Sequence, residues 1–272
     1  AIPWPWTADT WPLPEYIESP ATGRLAYHHH LGESPGILFC PGFNSDMQGG
    51  KALALEAWCR ERGVQFTRFD YYGHGESHGK VEQGTIGRWR DDALVILDEV
   101  TKGPQILVGS SMGGWIMLLA ALARPQRVIG LVGIAAAPDF TRRLREQRLD
   151  KTQLRQLEET GYCEMPSAYG DPYRISREML EEGESHLLLQ DDIPIDLPVR
   201  LIHGQRDADV PWETSLTIAR QLHSEDVEVQ LVKVGDHRLS EPRDLLRLLG
   251  TVGRLRARLG GEPQAEDVSD SS

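Results

Sequence analysis

The sequence predicts an α/β fold: a mostly parallel central sheet, helices on both of its faces and a small helical cap insertion. Three observations carry this. Short, mostly apolar runs alternate with amphipathic stretches along most of the chain. One strand-to-helix junction holds a serine between two glycines. The alternation stops across one internal segment and then resumes.

The elements follow in order. Residues 1–20 interleave Pro3, Pro5, Pro12, Pro14 and Pro20 with Trp4, Trp6 and Trp11. Proline lacks an N–H and fixes φ, so this density forbids helix or sheet interior. An extended arm packed on the body is expected. A core is expected over 21–138 and 197–259. Its strands are read at 36–40, 64–69, 105–109, 128–134, 199–203 and 227–234, mostly apolar as two-sided burial requires. Its helices are read at 51–62, 85–101, 112–123, 212–222 and 241–259. In the second of these Thr85 can cap the start, and Ile86, Trp89, Ala93, Ile96 and Val100 share one stripe. An opening pair near 25–31 and 36–40 is read as an antiparallel edge. Residues 139–196 are polar, helix-prone and without a convincing strand, and are expected to cap one end of the sheet. Ligands bind at the carboxyl ends of strands in such sheets, so this cap would cover the site. Residues 260–272 are small and acidic, and a disordered tail is expected.

Composition removes several function classes. The 272 residues carry 29 Lys and Arg against 41 Asp and Glu, a net charge of −12. Such a surface repels phosphate backbones and anionic lipid, so neither nucleic-acid binding nor membrane-surface binding is expected. The longest apolar runs, such as 128–137, fall short of the ~20 residues a bilayer span needs, so no stable membrane insertion is expected. Cys40, Cys59 and Cys163 are odd in number and lack a CxxC spacing. That points to free thiols in a reducing compartment rather than to disulfides or zinc. The first residues show no basic region followed by an apolar core, so they do not read as a secretory signal.

The chemistry begins at Gly109-Ser110-Ser111-Met112-Gly113. It matches G-x-S-x-G with Ser111 central, a strand before it and a helix after it. The flanking glycines suit a turn with no room for side chains, and the helix N-terminus favours developing negative charge. Ser110, in the x position, should point away. A serine alcohol needs a base, and the base needs an orienting acid, in the chain order Ser, Asp or Glu, His. Asp207 lies just past the strand at 199–203, with Asp209 as its rival for the acid role. His237 follows the strand at 227–234, whereas His223 falls in a helix. The oxyanion needs two donors: the backbone N–H of Met112, and that of Phe43 after the Pro41-Gly42 turn. The segment Asp70 to Ser77 reads as a structural loop bordering the cleft. His74 and His78 lack the carboxylates or cysteines that would complete a metal site, and His28-His29-His30 would be split between two faces of a strand. No metal and no organic cofactor is expected. The segment from Thr141 to Leu149 concentrates arginine, and Arg142 and Arg145 are proposed to overhang the cleft and hold an anionic group. A solvated helix face with local salt bridges is the competing reading.

With these residues assembled, the chain resembles the serine α/β-hydrolase superfamily over nearly its whole length. The match runs through Gly109 to Trp115, His203 to Trp212 and Gly235 to Arg238. Further likeness, at Ser34 to Ile37, Lys51 to Ala54, Phe69 to Tyr71 and Gly103 to Ser111, is to the mitochondrial palmitoyl-protein thioesterases and acyl-glucuronide esterases of animals and their bacterial relatives. The resemblance implies Ser111, Asp207 and His237 as a triad that cleaves thioesters or acyl-glucuronide esters. The substrate would be a small-molecule ester or thioester, or an S-acylated protein. It implies a mitochondrial location for an animal orthologue whose targeting segment is removed, and a cytoplasmic one for a bacterial protein. Carbon–carbon or amide hydrolysis on the same residues is the alternative, and a non-catalytic receptor of the same fold is another.

Overall fold

Strands that are apolar on both sides must be covered on both sides. A computed structural model describes residues 12–20, 23–167 and 170–260 and shows how this is done. The first part of the expected arm, 1–11, and the tail beyond residue 260 lie outside the described residues. Before the internal segment come β1 (Glu15–Ser19), β2 (Gly23–His30), β3 (Glu33–Cys40), α1 (Gly50–Glu61), β4 (Val64–Phe69) and α2 (Ile86–Val95), then β5 (Gln105–Ser110), α3 (Met112–Ala123) and β6 (Val128–Ile134). Within it lie α4 (Phe140–Arg143), α5 (Lys151–Thr160), β7 (Tyr162–Met165), β8 (Tyr173–Ser176) and α6 (Arg177–Gly183). After it come β9 (Val199–Gly204), α7 (Glu213–Gln221), β10 (Val227–Val232) and α8 (Pro242–Arg258).

Eight strands form one sheet in the order β1-β2-β4-β3-β5-β6-β9-β10. β1 and β2 are antiparallel additions at one edge, and the other pairings are parallel. The expected pairing of the segment at 25–31 with that at 36–40 does not form. β4 lies between them, antiparallel to β2 and parallel to β3. Nearness in sequence favours a hairpin, but all six residues of β4 are buried and its two edges both need partners. The two-residue link Leu31-Gly32 crosses the start of β4, where a Cβ on Gly32 would sit 2.4 Å from the Val64 carbonyl carbon.

The core divides between the two faces of the sheet. On one face Trp89 of α2 and Trp115 and Leu118 of α3 pack with Phe140, Leu157, Ile175 and Met179 from the internal segment. On the other, Leu55 and Cys59 of α1 pack with Leu248 and Val252 of α8. The internal segment therefore shares its apolar side with the body. It also bonds to it: Trp115 Nε1 donates to His186 O at 3.0 Å, and Gly87 N–H at the start of α2 donates to the Glu182 carboxylate at 3.1 Å. The absence of a strand expected there is corrected by the β7–β8 hairpin, in which Cys163 faces Ile175. Four residues per strand are too few to show a periodicity. Cys40, Cys59 and Cys163 are free and buried. Among the described residues no helix is long and apolar enough to cross a membrane.

Candidate active site

The glycines around Ser111 are required by close approach. A Cβ on Gly109 would lie 2.2 Å from Gly113 O, and one on Gly113 would lie 1.9 Å from Cys40 O. The chain leaves β5 in this crowded turn and enters α3 through Ser111, whose φ is 55° and ψ −117°. A side chain other than glycine in that region costs about 1–3 kcal/mol. Backbone bonds hold it there: Ser111 N–H donates to Ile134 O at 2.9 Å, and Ser111 O accepts from Gly114 and Ala137. Ser111 borders a cavity of about 370 Å³ at the carboxyl edge of the sheet. Ser110 borders it too but is only 9% exposed.

Asp207 stands in the loop after β9. Its Oδ1 accepts the N–H groups of Asp209 and Val210, each at 2.8 Å, and its Oδ2 accepts His237 Nδ1 at 2.7 Å. Burial pushes this carboxyl up, but hydrogen bonds from His203 and His237 and the nearby His237 charge outweigh it and hold it well below the usual carboxylate range. An ionised acceptor at Nδ1 leaves His237 with its proton there and its Nε2 lone pair free. His237 lines the same cavity as Ser111. Asp209, the rival acid, turns its carboxylate to Arg148 at 3.7 Å. Asp207, Asp209 and His237 each offer an atom within 4.8 Å of the others. The donor set suits a cation poorly, because both Asp207 oxygens already accept N–H groups.

Phe43 and Met112 both line the cavity. The loop Pro41 to Asn44 is fixed from behind. Tyr71 Oη donates to Pro41 O at 2.9 Å, and Asn44 N–H, at a residue with φ of 59°, donates to His74 Nε2 at 3.0 Å. His74 Nδ1 lies 3.0 Å from Tyr72 O, so the proton is on Nδ1. Burial pushes His74 down to about 4 and keeps it neutral. The Phe43 ring packs against His74, Trp89, Phe140 and Tyr173.

The arginines of the internal segment divide differently from the sequence reading. Arg142 is paired with Glu184 in a half-exposed ion pair. Neither Arg142 nor Arg145 is among the residues lining the cavity; Arg143 and Arg148 are. On a helical turn, neighbours in sequence point in different directions, and composition does not say which one faces inward. Arg148 donates to Ala208 O at 2.9 Å, tying the segment to the acid loop. Among the described residues the Arg143 guanidinium has no ion-pair partner, and burial and the charge of Arg148 push its pKa down.

Residues 35–162 match the family described as serine aminopeptidase, S33. Palmitoyl-protein thioesterase ABHD10, mitochondrial, of Bos taurus is 46% identical over 242 residues, 88% of this chain and 79% of that protein. The chain belongs to the α/β-hydrolase family, in its ABHD10 branch. The solved structure of α/β hydrolase domain-containing protein 10 from mouse superposes with a TM-score of 0.84 at 44% identity, covering 91% of this chain and 99% of that one. A chain from Agrobacterium vitis S4 described as a hydrolase gives 0.85 at 35% identity, covering 90% and 100%. The chain thus has the α/β-hydrolase fold that the sequence predicts. Sequence reading missed Arg143 and a second histidine at the site, His203. The only sequence signal for the latter is a histidine after the apolar pair Leu201-Ile202, four residues before Asp207.

Proposed function

We propose that this hydrolase releases acyl groups from S-acylated proteins or small acyl thioesters through an acyl-enzyme. Ser111 is the nucleophile, His237 the general base, Asp207 the orienting acid, and the N–H groups of Phe43 and Met112 the oxyanion donors. The observation that carries this reading is the 2.7 Å bond from His237 Nδ1 to Asp207 Oδ2 at the edge of the cavity that Ser111 also lines.

The chemistry follows from these groups. His237 Nε2 takes the Ser111 proton as the hydroxyl oxygen attacks the acyl carbon, and Asp207 stabilises the imidazolium that forms. Charge collects on the former carbonyl oxygen, and two N–H groups of a fixed loop and a helix start offset it; loss of one such donor costs roughly 3–4 kcal/mol. His237 then returns the proton to the leaving thiol or alcohol. Water, deprotonated by the same ring, releases the acid. No cofactor enters any step.

Residues 139–196 serve as the cap in this reading and shape the acyl side. Phe140, Leu144, Met165 and Ile175 supply an apolar wall to the cavity, which suits a fatty acyl chain. A second substrate reading, acyl glucuronides, is favoured by Arg143, a cavity-lining guanidinium without an ion-pair partner among the described residues, which would match a carboxylate. The Bos taurus relative is named as mitochondrial; by analogy an animal source would place this chain there, and a bacterial source in the cytoplasm.

The test is turnover of a palmitoyl thioester, a palmitoylated peptide and an acyl glucuronide by wild type and Ser111→Ala, with fluorophosphonate labelling of both. Labelling and thioester turnover that vanish together in the variant are expected. An unlabelled wild type, or a variant that still turns over, overturns the reading.

A further inference from the structure

We infer that His203 is a positioning residue for the reaction: it grips Asp207 Oδ2, the oxygen that His237 also uses, and is itself gripped by Ser215. This rests on the roles proposed for Asp207 and His237.

His203 and Ser215 are both fully buried. His203 Nε2 lies 3.2 Å from Asp207 Oδ2 and 3.1 Å from Val210 O. Both of these atoms only accept, so the proton must be on Nε2. Nδ1 is then a bare lone pair, and Ser215 Oγ, 2.7 Å away, donates to it. A chain of contacts results, from Ser215 through His203 to Asp207, with His237 on the far side. Three N–H groups hydrogen-bond the carboxylate, those of Asp209 and Val210 on Oδ1 and of His237 on Oδ2, and the His203 N–H that Val210 O accepts lies beside Oδ2, with Nε2 3.2 Å away.

Packing alone does not account for this histidine. An apolar side chain at the end of a buried strand would fill the space without any need for partners, whereas a buried imidazole costs free energy unless both nitrogens are met. Both are met here, Nδ1 by Ser215 and Nε2 by Val210 O, and the Nε2 side of the ring also stands against the acid of the site. Two effects on His237 follow. The carboxylate plane is locked, so Nδ1 and therefore Nε2 point in fixed directions. An N–H on Oδ2 also draws charge from it and tempers its pull on the imidazolium. The other charged groups facing the carboxylate are Asp209 of its own loop and Arg143 from the internal segment.

The experiment measures kcat and KM against pH for an acyl thioester, per active site counted by fluorophosphonate titration, in wild type, His203→Phe, His203→Gln and Ser215→Ala. His203→Phe should lower kcat roughly 10–100-fold, with KM within about twofold of wild type. Its acid limb should move up by about 0.5 pH unit, since a less tempered carboxylate holds the His237 proton more tightly. His203→Gln, whose amide N–H reaches the place of Nε2, should recover most of both changes. A structural role would lower the titrated sites and the melting temperature but leave the limb where it is, and that result overturns the inference. Where His203→Phe does not fold, Ser215→Ala decides, because it keeps the ring and removes only its donor. A limb shift in the same direction supports the inference, and an unchanged profile overturns it. Ser111→Ala is run alongside. Its turnover at the wild-type rate would instead overturn the triad reading, and this inference with it.

Discussion

His74 Nε2 accepts the N–H of Asn44 at 3.0 Å, so one buried imidazole sets the path of the loop that carries Phe43. The bond needs a bare lone pair on Nε2. Burial secures it by holding His74 at about 4, below its ordinary 6.5. A depressed histidine contributes nothing to the pH dependence above its unfolded pKa, and destabilises the fold as pH drops through the window from about 6.5 to about 4.

Replacing His74 by Asn should therefore cost less at low pH than at neutral pH. Between pH 7.5 and pH 5 the stability difference between wild type and His74→Asn should shrink by about 2 kcal/mol. Urea unfolding at the two values measures it. A difference independent of pH would show that His74 is not held neutral by the fold.

Ser111 trades stability for position. Its φ of 55° lies in the region that favours glycine. Ser111→Gly should raise the unfolding free energy by about 1 kcal/mol while abolishing thioester turnover. A thermal or urea melt paired with an activity assay checks both halves. Loss of stability in the variant would contradict the strain.

The acid role is separable from its neighbour. Asp207→Asn should lower kcat by about 10⁴-fold, because an amide at Oδ2 no longer holds the His237 tautomer. Asp209→Asn should stay within about threefold of wild type, since Asp209 offers only its N–H to Asp207 while its carboxylate faces Arg148. Steady-state kinetics on one thioester decides between them. Equal losses would reopen the assignment.

Arg143 and Arg142 make an internal control for anion recognition. Arg143→Ala should raise KM about tenfold for an ester bearing a carboxylate and leave a neutral p-nitrophenyl ester alone. Arg142→Ala should change neither, because that side chain is engaged by Glu184 away from the cavity. If both substrates respond equally to Arg143→Ala, the arginine acts on the fold and not on the anion.

The parts of this molecule written in local pattern were legible in the chain. The strand at Val128–Ile134 and the helix at Met112–Ala123 match the ranges read from the sequence residue for residue. The turn at Ser111 was recognisable because steric crowding leaves glycine as the fitting residue at 109 and 113. The hairpin Tyr162–Met165 with Tyr173–Ser176 was not, since four alternating residues resemble a loop.

By itself the sequence determined the alternation of strands and helices and the glycine-flanked turn at Ser111, because each is encoded by residues a few positions apart. Only the tertiary structure decided that β4 enters between β2 and β3, that Arg143 rather than Arg142 lines the cavity, and that His203 and His237 both lie within 3.2 Å of one oxygen of Asp207. These are choices between faces and partners distant in the chain. They are settled by which arrangement buries the apolar surface while leaving most buried donors and acceptors met.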